Sequence, residues 1–277
     1  MPAYKQHLAE CVSSTVEVRR LRRKARDLAG AGRVAEALSY QRALAELNPD
    51  DFETLMQLGF MHKAVCEIDD AVRAFRRASG VAPQTPDPHE ALAEIYLDAA
   101  QYDDAIVESK ALLRITPHSL AARDVLSTAY FQKGLIGKAI ETITEVVRLA
   151  PSDPLGHYKR GILHQHRGDW RNALHEFTRA SEMAKEGTIE YSEAQAAIDA
   201  LDQHQIRQVL LLASEDHLFS LHLMRDADEA ARERGYYLSP SATSFVAQVT
   251  ADRIDSPEQG PTFPSSRVVF RRPQRYN

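Results

Sequence analysis

Cysteine, tryptophan and glycine are all scarce: the 277 residues contain two, one and twelve of them. Two cysteines, Cys11 and Cys66, cannot supply a disulfide framework. Twelve glycines and thirteen prolines are too few for a collagen-like or low-complexity chain, and they argue against a fold built mainly from loops. No apolar run approaches the roughly 20 residues of a membrane-crossing helix. The first twenty residues carry Lys5, Glu10 and Glu17 and lack the apolar core of a signal peptide, which predicts a reducing, cytoplasmic setting. A strong excess of one charge is missing too, with 34 Lys and Arg against 39 Asp and Glu. What the chain has in abundance is alanine, 39 residues by direct count, and alanine is the best helix former.

The few prolines are the most informative residues. Pro49, Pro83, Pro117 and Pro151 stand 34 residues apart without a slip. Twelve residues before each lies an alanine, Ala37, Ala71, Ala105 and Ala139, and one more step gives Ala173. Each alanine follows a short breaker, such as Gly30-Ala31-Gly32 or Gly134-Leu135-Ile136-Gly137. The repeating unit is therefore two short helices joined by a tight turn. Close crossing of two helices needs small facing residues, which Gly59, Ala93, Ser127 and Gly161 provide opposite the alanines. Proline ends the second helix because it cannot continue the hydrogen-bond ladder, and Pro86, Pro88 and Pro154 suit the first turn of the next.

A 34-residue helix-turn-helix unit with these small, alanine and proline positions resembles the tetratricopeptide repeat over residues 18–187. The resemblance implies an all-α fold: a right-handed superhelical solenoid of five repeats, 18–51, 52–85, 86–119, 120–153 and 154–187. It departs from the family pattern at Leu55 and His157, where a large aromatic is usual, and at Lys24 and Arg160, where an apolar residue is usual. Residues 1–17 are expected to form a helical extension. The apolar stripe Tyr191, Ala194, Ile198 and Leu201 predicts a capping helix over 188–204. Residues 205–250 read as a small C-terminal helical module, with a helix opening at Asp226 and Glu229 in the manner of a capping box and another at Ser239-Pro240. The stretch 227–239 faintly resembles the leader-peptide family associated with nitrogen-fixation loci, without that family's cleavage signal. Residues 251–277, with Arg267, Arg271, Arg272 and Arg275, are expected to be a flexible basic tail.

The resemblance also implies that the first helices line a groove accepting a peptide or helix of a partner protein. The face opposite the packing residues presents Arg19, Arg22, Arg23 and Arg26 in the first unit, and Met56, Phe60 and Lys63, with Glu53, in the second. The third presents Asp87, Glu90, Glu94 and Asp98, the fourth Asp124, Thr128 and Phe131, and the fifth Tyr158 and Gln165. Residues 19–26 hold six basic side chains, whereas 50–108 hold 13 acidic against four basic. A basic mouth thus leads to an acidic centre, which suits a partner segment with basic residues, because complementary potentials steer encounter and select partners. The tail is expected to be able to occupy the acidic centre itself, and the module or tail to support a homodimer.

Nothing in the sequence reads as an enzyme, a cofactor site or a metal centre. There is no phosphate-cradling glycine loop, no Gly-x-Ser-x-Gly, no paired CxxC and no HExxH. His157 and His164 share a helix face but stand about 10 Å apart along the axis, too far for one metal. A protein-interaction scaffold is the reading that results, with an accessory subunit acting on a peptide through 205–250 as the alternative. A second alternative, nucleic acid at the Arg-rich first helix, is disfavoured because only one helix is basic and no aromatics interleave with it. If the register is right, Ala105→Leu overpacks a helix pair and lowers unfolding free energy by roughly 1–3 kcal/mol in chemical denaturation.

Overall fold

The computed structural model describes residues 2–255; of the expected tail at 251–277, residues 251–255 continue the last helix and 256–277 lie outside the described residues. Fourteen α-helices and no strand are present among them. In order they are α1 (Pro2–Gly30), α2 (Val34–Leu47), α3 (Phe52–Ala64), α4 (Ile68–Val81), α5 (Pro86–Asp98), α6 (Tyr102–Ile115) and α7 (Leu120–Gln132). There follow α8 (Ile136–Leu149), α9 (Pro154–His166), α10 (Trp170–Met183), α11 (Ile189–Glu215), α12 (His217–Arg225), α13 (Ala227–Glu233) and α14 (Pro240–Asp255). They fall into two compact units, one ending at Arg167 and one beginning at Gly168.

In the first unit the heaviest packing is within pairs, α1 on α2, α3 on α4, α5 on α6 and α7 on α8. The alanines read from the sequence are the tightest points: Ala37, Ala71, Ala105 and Ala139 are wholly inaccessible to solvent. Their partners confirm the need for small size. A Cβ built on Gly59 would stand 2.6 Å from the Phe75 ring, a contact real side chains do not make. Ser127 Oγ instead donates to the carbonyl of Ala139 at 3.1 Å, so a hydroxyl is accommodated by bonding the facing backbone. Leu55, Phe75, Leu92, Leu126, Tyr130 and Ile143 fill one continuous core around these points.

The turn inside each pair is one repeated structure. Positions 32, 66, 100, 134 and 168 all have positive φ, 74°, 61°, 57°, 72° and 79°. In the first four turns the next amide reaches back five residues, Arg33 to Leu28, Glu67 to His62, Gln101 to Tyr96 and Leu135 to Tyr130. This is the Schellman closure, which satisfies helix-end carbonyls through one left-handed residue. Three of the five positions are glycine, the residue that adopts this conformation without steric cost. Cys66 and Ala100 adopt it with a side chain. The second helices end on the 34-residue beat, with Asn48, Ala82, Thr116 and Ala150 donating to carbonyls four residues back just before the prolines.

The second unit is built on α11. This single helix runs through position 204, where the sequence placed a boundary between cap and module. Val209, Phe219, Leu223, Ala230, Leu238 and Val246 form its core. Two buried polar side chains of α11 hold the segment before α14. Gln205 accepts from the Tyr237 amide and donates to the Tyr237 carbonyl, both at 2.8 Å. Asp202 accepts from the Ser239 amide at 2.9 Å and from the Ser239 hydroxyl, while Ser239 Oγ caps α14 by accepting from Ala242. Asp226 caps α13 by accepting from the Glu229 amide, the half of the capping box expected from sequence. Burial of the Asp202 carboxylate raises its pKa, against the opposing effect of the Ser239 bonds.

Two outcomes follow. Ala100→Gly relieves a left-handed alanine and raises stability by about 1 kcal/mol in denaturant titration. The native state holds the Asp202 proton more tightly than the unfolded chain does, so this group's contribution is largest below the ordinary carboxylate value of about 3.9 and declines as pH rises through its raised pKa. Asp202→Asn should therefore flatten the pH dependence of urea unfolding on the alkaline side of that value.

Candidate partner-binding surface

The first helices of the repeats lie beside one another, and their exposed faces are joined by side chains. Arg22 of α1 reaches Asp51 at 2.9 Å and Glu53 at 3.8 Å, at the start of α3. Lys63 of α3 reaches Glu94 of α5 at 3.2 Å. Asp124 of α7 pairs with Lys159 of α9, and Phe131 of α7 meets His166 of α9 edge to face with centroids 4.8 Å apart. Helix α5 also touches α7 directly.

Asp51 organises the mouth of this surface. It caps α3 by accepting from the Thr54 amide at 3.0 Å and also accepts from the Thr54 hydroxyl and from Arg22. Burial pushes its carboxyl up, but these bonds and the Arg22 charge outweigh burial and hold it below its ordinary value. Behind the pair a cavity of about 250 Å³ opens among Arg22, Arg26, Gln41, Glu53, Gln57 and Met61. Ala25 and Ala29 of α1 leave the room for it.

The site residues named from the sequence divide into three groups. Arg19, Arg23 and Arg26, Asp87, Glu90 and Asp98 are exposed, and Phe60 is 47% exposed with its ring edge-on to Phe75. Arg22, Lys63, Glu94 and Asp124 are on the surface but already joined in ion pairs to neighbouring helices. Thr128 is half-buried with its hydroxyl donating to the Asp124 carbonyl, and Phe131, Tyr158 and Gln165 are half-buried. Met56 is the exception: it lies in the core cluster with Leu55, Phe75 and Leu92 and offers nothing to a partner. Helix α3 is covered over a wide arc, Thr54, Leu55, Met56, Leu58, Gly59, Met61 and His62 all being buried, so its free face is narrower than a simple two-sided helix allows.

Two polar clusters had no signal in the sequence, because each joins residues of different helices. Ser79 Oγ lies 3.3 Å from His89 Nε2, and His89 Nδ1 lies 2.7 Å from Glu108 Oε2, which ties α4, α5 and α6 together. His62 Nδ1 lies 2.6 Å from Glu67 Oε2, with Asp70 close by in an arrangement whose ligand atoms are near enough for a cation. Both carboxylates there are already engaged by arginines, Glu67 by Arg42 and Asp70 by Arg73. The histidines of α9 serve the fold in the same way, His157 Nε2 lying 3.3 Å from the Pro151 carbonyl and His164 Nδ1 3.1 Å from Arg167.

The geometry of α7 and α8, with Ser127 bonded across to Ala139 and the Schellman turn at Gly134, coincides with a match to the tetratricopeptide repeat family over residues 121–153. Residues 121–153 form a tetratricopeptide repeat. The same turn, small-residue contact and terminal proline recur at 34-residue steps in the preceding pairs. Solved structures of MamA are similar to this repeat array. MamA from Desulfovibrio magneticus RS-1, from residue 41 to its end, is 23% identical with a TM-score of 0.56, over 60% of this chain and 94% of that one. A MamA designated AMB-1 is 20% identical with a TM-score of 0.55, over 64% and 97%. At such identities the likeness is one of fold. No curated protein matches the sequence. None of the described helices is long and apolar enough to cross a membrane.

Proposed function

We propose that this protein is a non-catalytic interaction scaffold whose first-helix face binds a segment of another protein carrying basic residues. The observation that carries this reading is the stripe on α5. Asp87, Glu90, Glu94 and Asp98 follow one another at three- and four-residue steps along the helix, and all are exposed. Like charges at that spacing repel and cost helix stability, roughly 0.2–0.5 kcal/mol a pair. Glu94 is relieved by Lys63, whereas Asp87, Glu90 and Asp98 have no ion pair among the described residues. A partner's Lys or Arg would supply the missing counter-charges, and Phe60 and Phe131 on the flanking helices α3 and α7 offer aromatic contacts beside them. At the mouth, Arg26 beside the cavity suits an acidic group of the same segment. Arg22 is already held by Asp51 and Glu53, which leaves fewer free cations on α1 and weakens the nucleic-acid alternative.

The test is affinity capture with the intact chain, followed by titration of the captured partner. Glu90→Lys with Asp98→Lys should weaken binding at least tenfold and reduce its salt dependence, whereas Ser39→Lys on the exposed side of α2 should leave both unchanged. Equal affinity and equal salt slope for the reversed and original chains would show that the stripe is only a solvated helix face.

A further inference from the structure

The side of helix α12 turned away from its own core carries an apolar row beside exposed His217, His222 and Arg225. Phe219 and Leu223 are buried in the second unit's core. The other side carries Leu218, Leu221 and Met224, exposed by 69%, 44% and 42%. The helices packed beside α12 add Leu211 on α11 and Phe245 on α14, both also largely exposed. Single apolar residues on a surface are ordinary, but a whole helix row of them marks a contact.

The row is symmetric. Leu218, Leu221 and Met224 form an i±3 ridge centred on Leu221, the kind of ridge along which helices pack. A two-fold axis at Leu221 lays α12 antiparallel on a copy of itself, so that Leu218 meets the partner's Met224 and Leu221 meets the partner's Leu221. Self-complementarity of this kind is what a two-fold interface requires. The charges agree with it. Glu215 precedes the row and Arg225 follows it, both exposed, and neither has an ion pair among the described residues, although Arg232 and Arg234 nearby are paired with Asp228 and Asp216. The antiparallel arrangement brings Glu215 toward the partner's Arg225 at each end. One helix face covers less than the roughly 800 Å² per partner of a standard interface, so the contact must draw on the helices packed beside α12, where Leu211 and Phe245 are exposed.

We propose that the protein forms a homodimer through α12, a second copy covering Leu218, Leu221 and Met224. This contact is separate from the α5 stripe, so the two readings stand or fall independently. Sedimentation equilibrium on the full chain across the micromolar range should show a monomer–dimer equilibrium. Leu221→Lys places two like charges on the axis and should raise the dissociation constant at least tenfold with the far-ultraviolet circular dichroism unchanged. Glu215→Arg alone should weaken the dimer, and Glu215→Arg combined with Arg225→Glu should restore it, a rescue that an unrelated partner on this face would not produce. A chain that stays monomeric throughout, or a dimer indifferent to Leu221→Lys, would overturn the proposal.

Discussion

The close crossing of the two helices in each repeat is the constraint on which the first unit depends. Ala37, Ala71, Ala105 and Ala139 have no solvent contact at all, and Gly59 leaves no space for even a methyl group against Phe75. A crossing that tight fixes the distance between the helices, and the connecting turn must then reverse the chain within a few residues. The left-handed residue at 32, 66, 100 and 134 achieves the reversal while its Schellman bond closes the end of the first helix. Packing and turn therefore specify each other. Stacking of successive pairs follows, because each pair leaves apolar residues such as Leu92, Ile95 and Leu126 for its neighbour to cover.

This explains why the repeat fold was legible in the sequence. Steric constraints act on residue type locally: only a very small side chain fits the crossing, and only proline stops a helix so reliably. Their 34-residue spacing survives even where the rest of the pattern changes. The turn conformation was legible only in part, since Gly32 and Gly134 announce a left-handed residue while Cys66 and Ala100 conceal one. What Cys66 and Ala100 show is that the Schellman bond and the helix crossing together outweigh the cost of about 1–2 kcal/mol for a side chain in that region.

The proposed binding surface was legible as a list of side chains and not as an electrostatic pattern. Sequence spacing places Arg22, Lys63, Glu94 and Asp124 on the free face but cannot say that each has a counter-charge on an adjacent helix, because those partners lie about one repeat away along the chain. It likewise cannot distinguish Met56 from Phe60, one turn apart, when α3 is enclosed from several sides. In the second unit, Asp202 and Gln205 look like solvent-facing residues of an amphipathic helix. They are buried because the segment Tyr237 to Ser239 needs partners for its backbone groups, and a buried amide without one costs more than the burial of a bonded side chain.

The pairing of the surface charges changes what the near-balance of the whole chain means. Cations of α1 and α9 are used between repeats away from the acidic centre, and Lys63 of α3 neutralises only Glu94 there. A lysine on α7 placed to reach back to α5 would have neutralised more of it, yet Arg123 of α7 donates to the Ser119 carbonyl and Lys133, just past its end, pairs with Asp103 at the start of α6. Asp87, Glu90 and Asp98 are thus left without counter-charges by the geometry of their neighbours rather than by a shortage of basic residues. An exposed pair is worth at most about 1 kcal/mol, so the fold tolerates the deficit easily. Several such deficits aligned on one rigid helix nevertheless add up to a field that the proposed cationic segment would meet all at once, and in such a complex a marginal cost in the free protein would become selectivity.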